Sequence, residues 1–194
     1  MRTALVAATA AAALCAPVGW VVTDRLERDN DFCNACHLEP GVPLHEQVRA
    51  DFDARPAPTL ASAHAVADVA GRDDGFRCID CHGGTSLVGR ARVKALAAKD
   101  AFWYVVGSFE EPDGMRWPLW DEDCRKCHAT FDESPASNWQ SPRFHQVPLH
   151  NVDLGVDCVS CHVAHDSGGN ADAAFIHAAS VRVECARCHP EFEE

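Results

Sequence analysis

The pattern Cys-X-X-Cys-His occurs five times in this chain of 194 residues. In this pattern two thiols can add to the vinyl groups of a haem, and the adjacent imidazole can bind the iron. Five copies with two cysteines each use all but one of the 11 cysteines. The sequence therefore predicts five covalently bound c-type haems. The predicted haem-binding cysteines are Cys33, Cys36, Cys78, Cys81, Cys124, Cys127, Cys158, Cys161, Cys185 and Cys188, and the proximal iron ligands are His37, His82, His128, His162 and His189.

Structural zinc sites and disulfides are the alternative interpretations of these cysteines. Successive copies begin 45, 46, 34 and 27 residues apart, whereas the second half of a zinc site normally follows within about 15–20 residues. Five pairs also leave one pair without a mate. Neither zinc sites nor disulfides require a histidine after every second cysteine. The pattern therefore favours haem.

Five haems in so short a chain change the fold that we expect. Five large apolar macrocycles would form most of the core of so short a chain, with the polypeptide wrapped around them. The 12 glycines and 11 prolines indicate frequent turns. We therefore predict a mainly α-helical multihaem cytochrome with long loops. Helices are predicted over residues 59–70, capped by Thr59, over 87–106 and over 171–184, and residues 132–157 are expected to be mostly irregular.

The N-terminal segment is uncharged and apolar from residue 3 to residue 22. About 20 such residues suffice for a helix to cross a bilayer. We therefore predict one transmembrane helix as an uncleaved anchor over residues 1–23, with a periplasmic pentahaem domain over residues 24–194. This predicts a single-pass protein in the lipid bilayer of the cytoplasmic (inner) membrane. A cleavable signal peptide is the alternative, and a lipoprotein at Cys15 is disfavoured because Leu14 stands where a small residue is expected.

A sixth ligand is needed by each haem iron that is not catalytic. Methionine is scarce, with only Met1 and Met115, so the sequence predicts mainly bis-histidine ligation and low reduction potentials. The sequence does not assign individual histidines to individual haems. The distal candidates are the six histidines outside the motifs, namely His45, His64, His145, His150, His165 and His177.

Charge restricts the partners. The formal net charge is −12, so nucleic acid is an unfavourable partner, and basic redox proteins remain compatible. Residues 90–99 nevertheless hold a local basic cluster, which could be a solvated helix face or could neutralise haem propionates. The alternative is a quinol pocket, since quinol oxidation needs a proton acceptor and a donor to the quinone oxygen. Lys94, Lys99 and Asp100 are the candidates for that site.

The order of these features resembles the NapC/NirT/NrfH family of membrane-anchored multihaem quinol dehydrogenases. The predicted anchor is closely followed by Asp31-Phe32-Cys33-Asn34-Ala35-Cys36-His37, similar to the family's first motif. His64 precedes the second motif, and His165 trails the fourth, as distal ligands of the family do. The helix over residues 92–100 is similar to the family's lysine-rich helix. The resemblance covers roughly residues 1–165.

This resemblance implies a function. A membrane quinol, expected to be menaquinol, would reduce a haem at the membrane surface, and electrons would pass to a periplasmic reductase or cytochrome.

Two features depart from the family: Glu39 stands where members often have methionine, and the motif at Cys185–His189 adds a fifth haem to the usual four. Five haems occur in the TorC-like branch and in the pentahaem subunit of alternative complex III. The alternatives are therefore an electron-transfer subunit of a larger respiratory complex without its own quinol site, and a terminal nitrite-type reductase, which needs an open haem face.

Overall fold

The chain is mainly helical. A computed structural model describes residues 15–34, 44–67, 75–108, 119–128, 145, 155–169 and 171–192, with the backbone alone at residues 44–46. Across these ranges there is no β-strand, and the nearest approach to one is an isolated antiparallel bridge between His162 and Ile176. The helices are α1 (residues 15–26), α2 (Asn30–Asn34), α3 (Leu44–Asp53), α4 (Leu60–Val66), α5 (Cys78–His82), α6 (Leu87–Val105), α7 (Asp121–His128), α8 (Cys158–Cys161) and α9 (Ala178–Ala186).

The predicted transmembrane helix is wrong. Helix α1 covers residues 15–26 of the described chain, and its last turn contains the charged Asp24 and Arg25. Helix α6 has 19 residues but is interrupted by five charged side chains. Within the described ranges, no helix combines the length and the apolar character that crossing a membrane requires. This finding also overturns the predicted single-pass location in the inner membrane. The predicted domain boundary at residue 23 falls inside α1, and the division itself stays a prediction.

The first two helix predictions, over residues 59–70 and 87–106, are confirmed in their cores. Helix α4 starts after Thr59, whose hydroxyl accepts a hydrogen bond from the Ser62 amide (3.2 Å), while the Ser62 hydroxyl accepts one from the Thr59 amide (2.8 Å). This reciprocal pair is a capping box. Helix α6 closely follows the predicted range of 87–106 and is capped by Ser86. Residues 68–70 and most of residues 132–157 lie outside the described part.

The predicted single helix over residues 171–184 is divided in two. A 3₁₀ turn covers Ala171–Ala173, and α9 starts only at Ala178. Between them Ala174 and Phe175 have positive φ angles of 54° and 59°, which interrupt a right-handed helix. A second 3₁₀ turn, Pro190–Phe192, follows α9.

Polar contacts position much of the described chain. Its buried large apolar side chains are Phe52 and Phe175, whereas Glu27, Thr59, Ser62 and Asp123 are buried polar residues. Glu27 accepts hydrogen bonds from Arg90 and Lys94 of α6, which attach that helix to the end of α1. The helices that carry the motifs are thus held by specific polar pairs as well as by apolar packing.

Candidate haem-binding sites

The motif helices contact one another in the order in which they occur in the sequence. Helix α2, with the first motif, packs against α5; α5 packs against α7; α7 packs against α8; and α8 packs against α9. Each consecutive pair of motifs is therefore a pair of neighbours in space. Cys36 and His37 of the first motif lie outside the described residues, so Cys33 marks this site.

Cysteines meet at the junctions between motifs. The Cys33 and Cys78 thiols are hydrogen bonded, which raises the pKa of Cys33 and lowers that of Cys78. The Cys124 and Cys158 thiols form an equivalent pair, which lowers the pKa of Cys124 and raises that of Cys158. Since each cysteine is a predicted haem attachment point, porphyrins on neighbouring motifs would also be neighbours.

The other two junctions bring cysteines within electrostatic reach without a hydrogen bond. Burial raises the pKa of Cys81 to about 11, with a further contribution from Cys124 of the next motif. Burial also raises the pKa of Cys161, and Cys185 of the fifth motif adds to the effect. All four junctions therefore place thiols of consecutive motifs near each other.

Three motif histidines face a histidine from outside the motifs. The ring centres are 6.1 Å apart for His82 and His165, 6.1 Å for His128 and His64, and 6.2 Å for His162 and His145. Two imidazoles bound to opposite faces of one metal, with metal–nitrogen bonds of about 2 Å, have ring centres roughly 6 Å apart. The separation of each pair therefore fits an iron between the two rings.

Hydrogen bonds orient two of these rings. The Nδ1 atom of His64 donates to the carbonyl oxygen of Leu60, and Nδ1 of His162 donates to that of Ala174, both at 2.8 Å. A histidine that donates through Nδ1 carries its lone pair on Nε2, and this is the usual arrangement in metal ligands. Both residues thus have the tautomer needed to bind iron through Nε2.

Burial keeps two of the motif histidines neutral. It lowers the pKa of His82 to about 4, and the neighbouring His165 contributes in the same direction. Burial also lowers the pKa of His128, with contributions from His64 and His162. A neutral imidazole retains the lone pair that a metal needs, so both residues suit ligation at neutral pH.

The remaining ligand candidates are arranged differently. His177 has Nδ1 2.9 Å from the Ser180 hydroxyl and Nε2 3.4 Å from a carboxylate oxygen of Asp166, so both ring nitrogens have partners in the polypeptide. His189 has Nδ1 3.3 Å from Glu191. His150 and the side chain of His45 lie outside the described part. Distal ligands for the first and fifth motifs stay predictions.

The predicted quinol residues occupy two different environments. Lys94 is largely buried: its Nζ donates to Thr23 (2.8 Å) and to Glu27 (2.9 Å), and it lies 5.2 Å from the ring centre of Trp20. The side chains of Lys99 and Asp100 are 54% and 55% exposed, and the Nζ atom of Lys99 is 3.9 Å from a carboxylate oxygen of Asp100. Lys94 therefore contacts α1, while the other two candidates pair with each other.

Sequence reasoning missed Glu27. Its side chain is only 10% exposed and sits between Arg90 and Lys94. The pKa of Cys33 is raised mainly by the hydrogen bond to Cys78 and by burial, and the charge of Glu27 adds to this, which places Glu27 near the first motif. No sequence signal marked it, because a lone glutamate in a polar stretch is normally solvated.

Comparison with known proteins gives one informative similarity. No protein-family model matches the chain, and no solved structure matches it. A protein from Allochromatium vinosum named "Putative tetraheme cytochrome-c type" is 30% identical over 113 residues, which are 50% of this chain and 60% of that protein. The chain thus spans less than two thirds of that relative's length. The similarity does not extend to the NapC/NirT/NrfH family or to five haems. Together with the motifs, it supports a multihaem c-type cytochrome that transfers electrons.

Proposed function

We propose that the chain is a pentahaem c-type cytochrome that conducts electrons through haems in the order of their motifs. The observation that carries this proposal is the consecutive packing of the five motif helices. The rate of electron tunnelling falls steeply with the distance between donor and acceptor. Haems attached to adjoining helices would therefore exchange electrons rapidly. The polypeptide would set the spacing and the axial ligands, while the irons carry the electrons.

The three histidine pairs support a carrier. We assign His165 to the haem of the second motif, His64 to that of the third and His145 to that of the fourth. An iron with two histidine ligands has no open position for a substrate, whereas a terminal reductase needs one. Bis-histidine ligation at these three haems therefore favours electron transfer over catalysis.

The test of the carrier proposal is a reductive titration of the holoprotein under anaerobic conditions, followed at the haem α-band. The proposal predicts an uptake of five electrons per chain, reversed by an oxidant. An uptake of four or fewer, or haems that reduce but do not reoxidise, would contradict it.

We further propose that the electron donor to these haems is a quinol. The observation that favours it is the buried Glu27–Lys94 pair beside the first motif. Quinol oxidation releases two protons with two electrons, so Glu27 could accept a proton while Lys94 holds the quinone oxygen. Menaquinol is the expected donor. The net charge of −12 suits an acceptor with a basic face, such as a reductase or another cytochrome.

Rapid mixing with a soluble menaquinol analogue separates this step from the carrier function. Glu27→Gln and Lys94→Gln are expected to slow haem reduction by the quinol at least tenfold and to leave reduction by dithionite unchanged. Lys99→Gln, at an exposed position, is the matched control and retains the wild-type rate. Equal quinol rates in all four proteins would refute the assignment of Glu27 and Lys94. The donor would then be bound by another subunit of a larger complex, or be another protein.

A further inference from the structure

The second and fourth motif helices share an unusual start. Helix α5 begins at Cys78 and α8 begins at Cys158, so the first residue of each helix is the first cysteine of its motif. The first four amides of a helix have no partner within the helix. The preceding residues, Arg77 and Asp157, provide no side-chain cap. The cysteine amide is the first of the four, and an N-cap side chain would bind the second or third amide instead, so each cysteine amide needs an acceptor from outside the helix.

The preceding motif supplies the acceptor in both cases. The side-chain oxygen of Asn30 accepts a hydrogen bond from the Cys78 amide (3.0 Å), and a carboxylate oxygen of Asp121 accepts one from the Cys158 amide (2.8 Å). Asn30 is the first residue of α2, and Asp121 is the first residue of α7. Each also stands three positions before the first cysteine of its own motif. The same joint therefore occurs twice, between motifs one and two and between motifs three and four.

The fifth motif lacks the acceptor. The residue three positions before Cys185 is Arg182, whose side chain has only donors. An acceptor at this position thus accompanies the first and third motifs, whose side chains bind the first amide of the motif that follows.

The two joints differ in charge. Asn30 is neutral, whereas Asp121 offers a carboxylate that is 19% exposed. Its second oxygen is 3.4 Å from Arg125, which offsets the charge only in part because that guanidinium is partly exposed and at a longer distance. Negative charge close to a haem stabilises the ferric state and so lowers the reduction potential.

We propose that Asn30 and Asp121 are positioning residues that fix consecutive haem motifs as pairs, and that Asp121 also lowers the reduction potential of a haem at the second joint. This rests on the proposed pentahaem electron transfer. The chain thereby differentiates two sites that have the same fold.

The test is a potentiometric titration of the holoprotein at pH 7 with an exchange of the two side chains. Asp121→Asn keeps the acceptor oxygen and removes the charge, and is expected to raise a midpoint potential. Asn30→Asp adds the charge and is expected to lower one. Glu122→Gln removes the same charge from the exposed neighbour of Asp121 on the same helix and is the control, with a smaller shift because solvent screens it. A shift for Asp121→Asn no larger than that for Glu122→Gln would overturn the electrostatic part.

The positioning part needs a second readout. Circular dichroism in the Soret band reports the relative orientation of neighbouring haems. Asp121→Ala, which loses the acceptor, is expected to change this spectrum, while Asp121→Asn leaves it unchanged. Identical spectra for both variants would overturn the positioning role, and loss of haem in the alanine variant alone would support it. A count of haems in the wild-type protein is made on the same samples, so a failure of the pentahaem function is recognised separately.

Discussion

The backbone amide of Ala61 donates a hydrogen bond of 2.9 Å to the carbonyl oxygen of Ala164. Ala61 lies one turn before His64, and Ala164 directly precedes His165. His64 faces His128 of the third motif, and His165 faces His82 of the second. This backbone hydrogen bond therefore joins the segment that carries His64 to the segment that carries His165. The first of these histidines faces the third motif, and the other faces the second motif. Ligation at the second and third haems should accordingly be coupled.

Removal of a distal histidine tests the ligand assignment. His165→Ala takes away the ring opposite His82, so one iron per chain should become five-coordinate and high-spin. The measurement is carbon monoxide binding to the reduced protein, with one additional haem per chain expected to bind relative to wild type. His177→Ala is the comparison, because both its ring nitrogens have protein partners. No gain in His165→Ala would show that His165 is not a ligand.

The planes of the paired rings give a spectroscopic prediction. The planes of His82 and His165, and those of His162 and His145, are 12° apart, whereas those of His128 and His64 are at 89°. Electron paramagnetic resonance distinguishes low-spin ferric haems with near-parallel ligand planes from those with near-perpendicular planes. The third haem should therefore give a strongly anisotropic signal that His64→Ala abolishes. Persistence of that signal at full intensity in the variant would contradict the pairing.

The Glu27 contacts give a stability prediction. Glu27→Ala leaves the side chains of Arg90 and Lys94 poorly solvated and short of a carboxylate, and should lower the free energy of unfolding by roughly 2–4 kcal/mol. Asp53 is 62% exposed and pairs with Arg49. Asp53→Ala should therefore change the free energy of unfolding by less than about 1 kcal/mol. Urea denaturation of the holoproteins, followed by far-ultraviolet circular dichroism, compares the two. If the two substitutions lowered the free energy of unfolding equally, Glu27 would have to be solvated, which would contradict this prediction.

The neighbouring Asp24 gives a pH dependence. Its hydrogen bond to the Arg90 guanidinium lowers the pKa of the Asp24 carboxyl below its usual 3.8. Between the folded and unfolded pKa values the unfolded chain binds more protons, so the contribution of this pair is complete above pH 3.8 and is lost as the pH falls through the folded pKa. Asp24→Asn should therefore show a weaker loss of stability than wild type on acidification from pH 5 to pH 3. Parallel curves would exclude the interaction.

The left-handed residues after the fourth motif give a further prediction. Ala174 has a φ angle of 54°, and its carbonyl oxygen accepts the hydrogen bond from His162. Glycine adopts this conformation without strain, so Ala174→Gly should increase stability by about 0.5–1 kcal/mol. Ala173→Gly, in the preceding 3₁₀ turn, should not. Thermal unfolding decides the matter, and an equal loss of stability in both variants would contradict the strained conformation.

The parts of this account that sequence predicted are local. The motifs predicted the haem attachment sites, Thr59 marked the start of α4, and hydrophobic periodicity located α6. These signals depend on residues close together in the chain. The pairing of His64 with the third motif is different, because it depends on how segments far apart in sequence fold over one another.

One error and one omission have physical reasons. The apolar composition of residues 3–22 suggested a membrane span, but composition alone does not determine whether a helix combines the length and the apolar character that crossing a membrane requires, and no helix in the described ranges does so. The polar segment that follows carries no sequence signal for burial. It supplies Glu27, whose burial becomes favourable only when Arg90 and Lys94 of a distant helix accompany it.

Intact mass spectrometry of the mature protein, with peptide mapping of the cysteines, tests the central claim most directly. The account predicts a mass increase equal to five haems, with thioether links at both cysteines of every motif. A chain that is folded but carries no added haem, or that carries metal on free thiols instead, would contradict it.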